Sequence, residues 1–299
     1  MSWAILLGLI ANMAVSIEKI EGSGGSEIED FVIKSPSAIL YHSPQYLSLI
    51  SKHLNASCGW LIASDGDNIE GALPFVYRDG DLGPVWNSMP YYGSNGGVVQ
   101  VTPDLSIKQK IIREFYRTAE RANACSATII TNPLLNDHED YESSIEGFLR
   151  DERIGQITHL PDNPGDELMQ IFQDPRPRNI RRAIREGIKV TNGNDKSSVE
   201  FLYKIHVENM QAIGGLSKSW NFFEQLLLDM PNDMWTVYIG SKNGEPISGL
   251  LLFYYNRTVE YFTPVIKPER RNTQALALVI YEAMEDAISN KQCNNWNWG

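Results

Sequence analysis

One order of elements occurs twice along this chain, and no other feature limits its fold as much. Residues 26–35 and 43–54 carry helix patterns, the second opened by Ser43 as N-cap and Pro44 as first helical residue. Residues 59–80 form two β-rich runs around the turn SDGDN at 64–68. A glycine-rich stretch at 90–99 leads to a helix over 105–124, apolar at Ile107, Ile111, Ile112, Phe115 and Ala119, and to a strand at 126–131. The second round has helices at 196–214 and 219–230, strands at 234–242, 246–256 and 259–266, a helix at 273–291 and a last strand at 294–299. Each set can build a mixed sheet with helices packed on it, so the reading is an α/β chain of two similar units with a ligand cleft between them.

With 299 residues, 42% of them hydrophobic, the chain can bury a sizeable core. Its formal charge of −11 excludes a general nucleic-acid coat, so any anion must be met locally. One stretch could do that. From Arg176 to Lys189 there are six basic residues and one acid, Glu186. Arg178, Arg181, Arg182 and Arg185 fall on one helical face, expected between the two units. Guanidinium groups that repel one another there would be offset by a diphosphate of a UDP-sugar, coenzyme A or a tRNA end. The alternative is a solvated helix neutralised by acids elsewhere.

Cys58, Cys125 and Cys293 are odd in number and far apart, which argues against a disulfide framework or a zinc site and fits a reducing cytoplasm. The five histidines have no metal-ligand spacing. Residues 3–17 are almost wholly apolar but reach only about 22 Å as a helix, short of the roughly 30 Å hydrocarbon core. Met13 is therefore read as the functional start, with 14–20 as a first strand; contact with the inner membrane surface through 3–17 is the alternative. Residues 21–27 read as a flexible connection. In PYYGSNGGVV, Tyr91, Tyr92, Gly93 and Asn95 offer stacking faces, hydroxyls and a close main-chain approach to a ligand.

RNIRRAIREGIKV, IHVENMQAIGG, FFEQLL, PISGLLLFYYNRTVEYF and WNWG follow one another in an order that resembles the FemAB family, whose members are similar to two fused GNAT acyltransferase domains. The resemblance spans about residues 13–299. It implies two tandem GNAT-like domains, at 26–163 and 164–299, after an N-terminal segment at 1–25. It implies an acyltransferase that moves an aminoacyl or acyl group to an amine of a peptidoglycan or surface-polysaccharide precursor, a small or lipid-linked molecule. The donor would be aminoacyl-tRNA or acyl-CoA as co-substrate, with no tightly bound cofactor and no metal. The competing reading is a non-catalytic module binding a nucleotide-sugar on the same fold.

The amine would attack the activated carbonyl directly, and consistently the chain has no G-x-S-x-G and no Walker A loop. Tyr254, Glu260 and Tyr261 fall on strands beside the expected cleft as candidate proton relays. Arg270 and Arg271 stand where GNAT domains bind a pyrophosphate, but the glycines usual there are absent. In the family the last strand is followed by others. The resemblance therefore implies a C-terminally incomplete second sheet with an open edge beside 294–299, and a chain that is weakly active or pairs through that edge.

Overall fold

The computed structural model describes residues 15–89 and 95–299. Tyr91, Tyr92 and Gly93 lie outside the described residues, as does most of the apolar stretch 3–17.

In the first half, β1 (Ser16–Glu21), β2 (Ser57–Asp65), β3 (Asn68–Gly80), β4 (Gly83–Ser88) and β5 (Ser126–Ile129) form one sheet in that spatial order. All neighbours are antiparallel except β4 and β5. Helices α1 (Ser26–Lys34) and α2 (Pro44–Leu54) cover one face and α3 (Leu105–Arg121) the other. Local chemistry sets the helix starts. The Ser43 side chain accepts from Tyr46 N at 3.1 Å, and Asp104 accepts from Ile107 N at 3.1 Å.

A short helix α4 (His138–Glu142) and strand β6 (Ile157–His159) lead on to α5 (Asp166–Ile171), α6 (Arg176–Arg185), β7 (Ile188–Gly193), α7 (Lys196–Ala212) and α8 (Trp220–Asp229). Strands β8 (Trp235–Lys242), β9 (Glu245–Tyr255) and β10 (Thr258–Ile266), helix α9 (Ala275–Ser289) and β11 (Asn295–Asn297) complete the second half. Its sheet runs β6-β11-β10-β9-β8-β7. From β7 to β11 it repeats the first sheet, again ending on one parallel pair, β10 with β11. Alternation along β8 and β9 assigns the faces. Trp235, Val237, Leu251 and Phe253 point to α7 and α8, while Tyr238, Leu250 and Leu252 point to α9.

The two halves share one core. Tyr46 of α2 meets Phe253 of β9 edge-on at 5.9 Å, His53 meets Phe222 of α8 at 5.5 Å, and Asn256 Nδ2 donates to the carbonyls of Ser35 and Ala38.

The first strand read at 14–20 is β1, which pairs along its whole length with β2. Three expectations change. Strand β6, assigned to the first unit by a boundary after 163, hydrogen-bonds in the second sheet. Its pairing with β11, Asn295 opposite His159 and Asn297 opposite Ile157, also fills the edge expected to stand open. Finally, the arginine helix is not between the halves: Ile180 and Ala183 of α6 pack against Ala275 and Leu278 of α9, on the sheet face turned away from the first half. Among the described residues no helix is long and apolar enough to cross a membrane.

Candidate active site

Strand β10 organises the centre of the second half. Its pairing with β9 shifts register between Tyr261 and Thr263, so Phe262 is an extra, bulged residue without a β9 partner. Its pairing with β11 ends at Glu260 opposite Asn297. Past that point β10 is paired with β9 alone, which it follows from Thr263 to Ile266 after skipping Phe262. At Ile266 its N–H and carbonyl both bond the Asn209 side chain of α7, at 3.1 and 2.9 Å.

Glu260 faces the first half at the start of this stretch and is 2% exposed. Asn297 Nδ2 donates to its Oε2 at 2.8 Å, and Oε1 has no hydrogen-bond partner among the described residues. Burial pushes its pKa up to about 8, against the pull of the Asn297 amide and the neighbouring Tyr41 hydroxyl. Tyr41 belongs to the helical turn Leu40–His42 of the first half, so the carboxyl sits where the two halves meet.

Tyr254 and Tyr261 lie on the opposite face and do not converge with Glu260. The Tyr254 hydroxyl pairs with that of Tyr238 at 2.8 Å, and Tyr238 in turn donates to Asp286. Tyr261 packs 5.0 Å from Trp298; burial raises its pKa to about 12 although Arg176 nearby opposes this.

The loop joining α7 and α8 brings in a residue that sequence patterns did not single out. Lys218 Nζ lies 5.0 Å from the centre of the Phe262 ring, and burial lowers its pKa to about 8. His206 Nε2 accepts from the Lys218 backbone N–H at 3.0 Å and fixes the loop on α7. Only the glycine pair in IGGLSKS hinted that this loop turns sharply back toward the sheet.

Of the glycine-rich stretch, the described part is anchored. His42, fully buried, accepts from Ile39 N through Nδ1 at 3.2 Å and donates from Nε2 to the Gly96 carbonyl at 3.1 Å. Gly97 has φ +89, and a Cβ there would lie 2.5 Å from the Tyr141 hydroxyl. Asn95 leads into this anchor and is half-buried.

On the far face, Arg178, Arg181, Arg182 and Arg185 are all exposed, and among the described residues no ion pair holds any of them. Arg270 and Arg271 fall in the helical turn Pro268–Thr273 that precedes α9. They differ: Arg270 is tied to Glu245 at 3.2 Å beside Lys267, whereas Arg271 is exposed.

Residues 176–294 match the model of the acetyltransferase (GNAT) domain. Solved structures extend that likeness over both halves. A FemX crystal structure superposes with a TM-score of 0.72 at 15% identity, covering 94% of this chain and 88% of that one. A tandem GNAT protein from the clavulanic acid biosynthesis pathway gives 0.53 at 10% identity over 94% and 89%. L-PGS from Bacillus licheniformis gives 0.51 at 13% over 93% and 76%. No curated protein matches in sequence. The chain is thus a tandem GNAT-fold protein, two mixed α/β units in series. Within that fold, the FemX structure superposes on both of its units.

Proposed function

We propose that this chain is a transferase that moves an aminoacyl or acyl group from a phosphate-bearing donor to an amine of a cell-envelope precursor. The match of 176–294 to an acetyltransferase domain carries the reading, with the bulge of β10 lying inside the matched segment. The likeness to FemX and to L-PGS supports an aminoacyl group and an envelope acceptor.

The chemistry is direct attack of the amine on the donor carbonyl, with the C–N bond forming as the C–O or C–S bond breaks. A covalent intermediate on cysteine is disfavoured at two of the three thiols: Cys58 and Cys293 are buried, and burial raises both, Cys293 to about 12. At the bulge, the main chain of β10 at Phe262, which the β9 register skips, would supply an N–H for the carbonyl oxygen. The donor's phosphates would be met on the α9 side, where α6 rests through Ile180 and Ala183 on the first turns of α9 with its arginine face open, and Arg271 stands just before α9. A helix start without glycines, and Arg270 already engaged by Glu245, fit a long polyanionic donor such as the end of a charged tRNA better than a tightly cradled pyrophosphate.

The reading is tested by incubating the protein with a UDP-linked muramoyl peptide carrying a free amine and either alanyl-tRNA or acetyl-coenzyme A, and weighing the product. A mass gain of one alanyl or acetyl group is expected. No product with either donor would remove the envelope-acceptor assignment.

A further inference from the structure

Lys218 stands over the ring of Phe262, the residue that bulges out of the pairing of β10 with β9, and among the described residues it alone has an amine drawn down toward neutrality. We propose that Lys218 is the acid–base residue of the transfer step, taking the proton of the attacking amine and handing it to the departing atom of the donor. This rests on the transferase reading above.

The position comes first. Phe262, whose ring lies under the ammonium, is the bulged residue itself and is stacked in turn on Phe222 of α8 at 5.5 Å. The amine is therefore fixed relative to the main chain at 261–263, the stretch assigned to the reacting carbonyl. Helix α7 sets both walls. His206 holds the Lys218 main chain, and Asn209, one turn further on, holds β10 at Ile266. His206 adds no charge of its own near neutrality, because burial foremost, and Lys218 next, lower it to about 4.

The chemistry follows. Burial draws the Lys218 amine down. Glu260, the other titratable group on this face of β10, is fully buried with its carboxyl tied to Asn297, so it is badly placed to reach an incoming amine. An amine that titrates near the working pH can carry a proton in both directions. Neutral Lys218 would accept a proton from the acceptor nitrogen as its C–N bond forms. The resulting ammonium would protonate the leaving oxygen of a ribosyl ester, or the leaving sulfur of a thioester, as that bond breaks. Lys218 ends neutral and no co-reactant is consumed.

The test compares the parent with K218M and K218R, using the UDP-linked muramoyl peptide as acceptor and alanyl-tRNA or acetyl-coenzyme A as donor. Loss of a proton carrier should lower kcat by about 100-fold or more in K218M while leaving donor KM within about threefold. K218R should not recover it, because a guanidinium does not release its proton. Retained kcat in K218M, or parent-like kcat in K218R, overturns the proposal. A second measurement needs no turnover: lysines are reductively methylated with ¹³C, and the Lys218 resonance, assigned by its absence in K218M, is followed as donor is added. It should move with the donor that supports transfer; a stationary signal overturns the placement. A signal that moves while the parent makes no product overturns the acid–base role, leaves a ligand-binding cation, and counts separately against the transferase reading.

Discussion

Asn297 Nδ2 donates to Glu260 Oε2 at 2.8 Å, tying the last strand of the chain to a fully buried carboxyl that also neighbours Tyr41 of the first half. Because burial raises the Glu260 pKa to about 8 from its ordinary 4.5, the folded state holds a proton that the unfolded chain has released. Its stabilising effect is complete below pH 4.5 and is lost as pH rises through 8. Glu260→Gln, neutral at every pH, should match the parent near pH 5 and melt several degrees higher at pH 9, where ionising the parent costs on the order of a few kcal/mol. Melting curves across that range decide it. An unchanged difference between pH 5 and 9 would show that the carboxyl is solvated in the folded state.

His42 titrates in the opposite sense. Burial lowers it to about 4, against the opposing pull of its hydrogen bonds to the Gly96 and Gly97 main chain. The unfolded chain thus takes up a proton near 6.5 that the folded chain refuses, and stability falls as pH drops from 6.5 toward 4. Replacing His42 by Phe should flatten that acid limb. It should also cost about 1 to 3 kcal/mol at neutral pH, since the Ile39 N–H and Gly96 carbonyl lose their buried partner. Urea titrations at pH 5 and 7.5 measure both effects, and an acid limb as steep as the parent's would assign it elsewhere, His206 being the next group to examine.

What the sequence disclosed, and what it hid, divides along physical lines. Helix and strand order was legible because period, caps and turns are local: Ser43 with Pro44 opens α2, Asp104 opens α3, and the turn between Lys242 and Glu245 joins β8 to β9. The place of α6 was not, because four arginines dominate its sequence while two small contacts, Ile180 and Ala183, decide what it docks on. Grouping Glu260 with Tyr261 ignored a rule that was available, since successive residues on a strand face opposite ways. Lys218 was out of reach altogether. Its environment comes from His206, twelve residues back on α7, and from Phe262, which is distant in sequence and adjacent only after the sheet has formed.

The open arginine face makes a distinct prediction. Because both side chains are exposed and no ion pair among the described residues is lost, Arg181→Ala with Arg185→Ala should leave stability within about 0.5 kcal/mol of the parent. Binding of a tRNA or other polyanionic donor should weaken and its salt dependence should become shallower by roughly two phosphate contacts. Filter binding between low and moderate salt gives the slope. Parent-like affinity and slope in the double variant would make α6 a solvated surface and remove it from the donor site.

The shared core predicts how the chain unfolds. Tyr46 and Phe253 meet across the halves at 5.9 Å, and both are fully buried within a cluster that draws on α2 from one half and α8, β8 and β9 from the other. If that cluster couples the halves, the two sheets cannot melt independently, and heat or urea should unfold the chain in one transition seen alike by tryptophan fluorescence, which reports Trp60 and Trp86 in the first half and Trp235 and Trp296 in the second, and by far-ultraviolet dichroism. Phe253→Ala should destabilise by about 3 to 5 kcal/mol. Because the void it opens lies against Tyr46, it should lower the midpoint of both halves together. The pair with Tyr46→Ala should then cost less than the sum of the single changes, since the second truncation removes a contact already lost. Two separated transitions in the parent, or strict additivity of the two substitutions, would instead describe units that fold alone and merely touch.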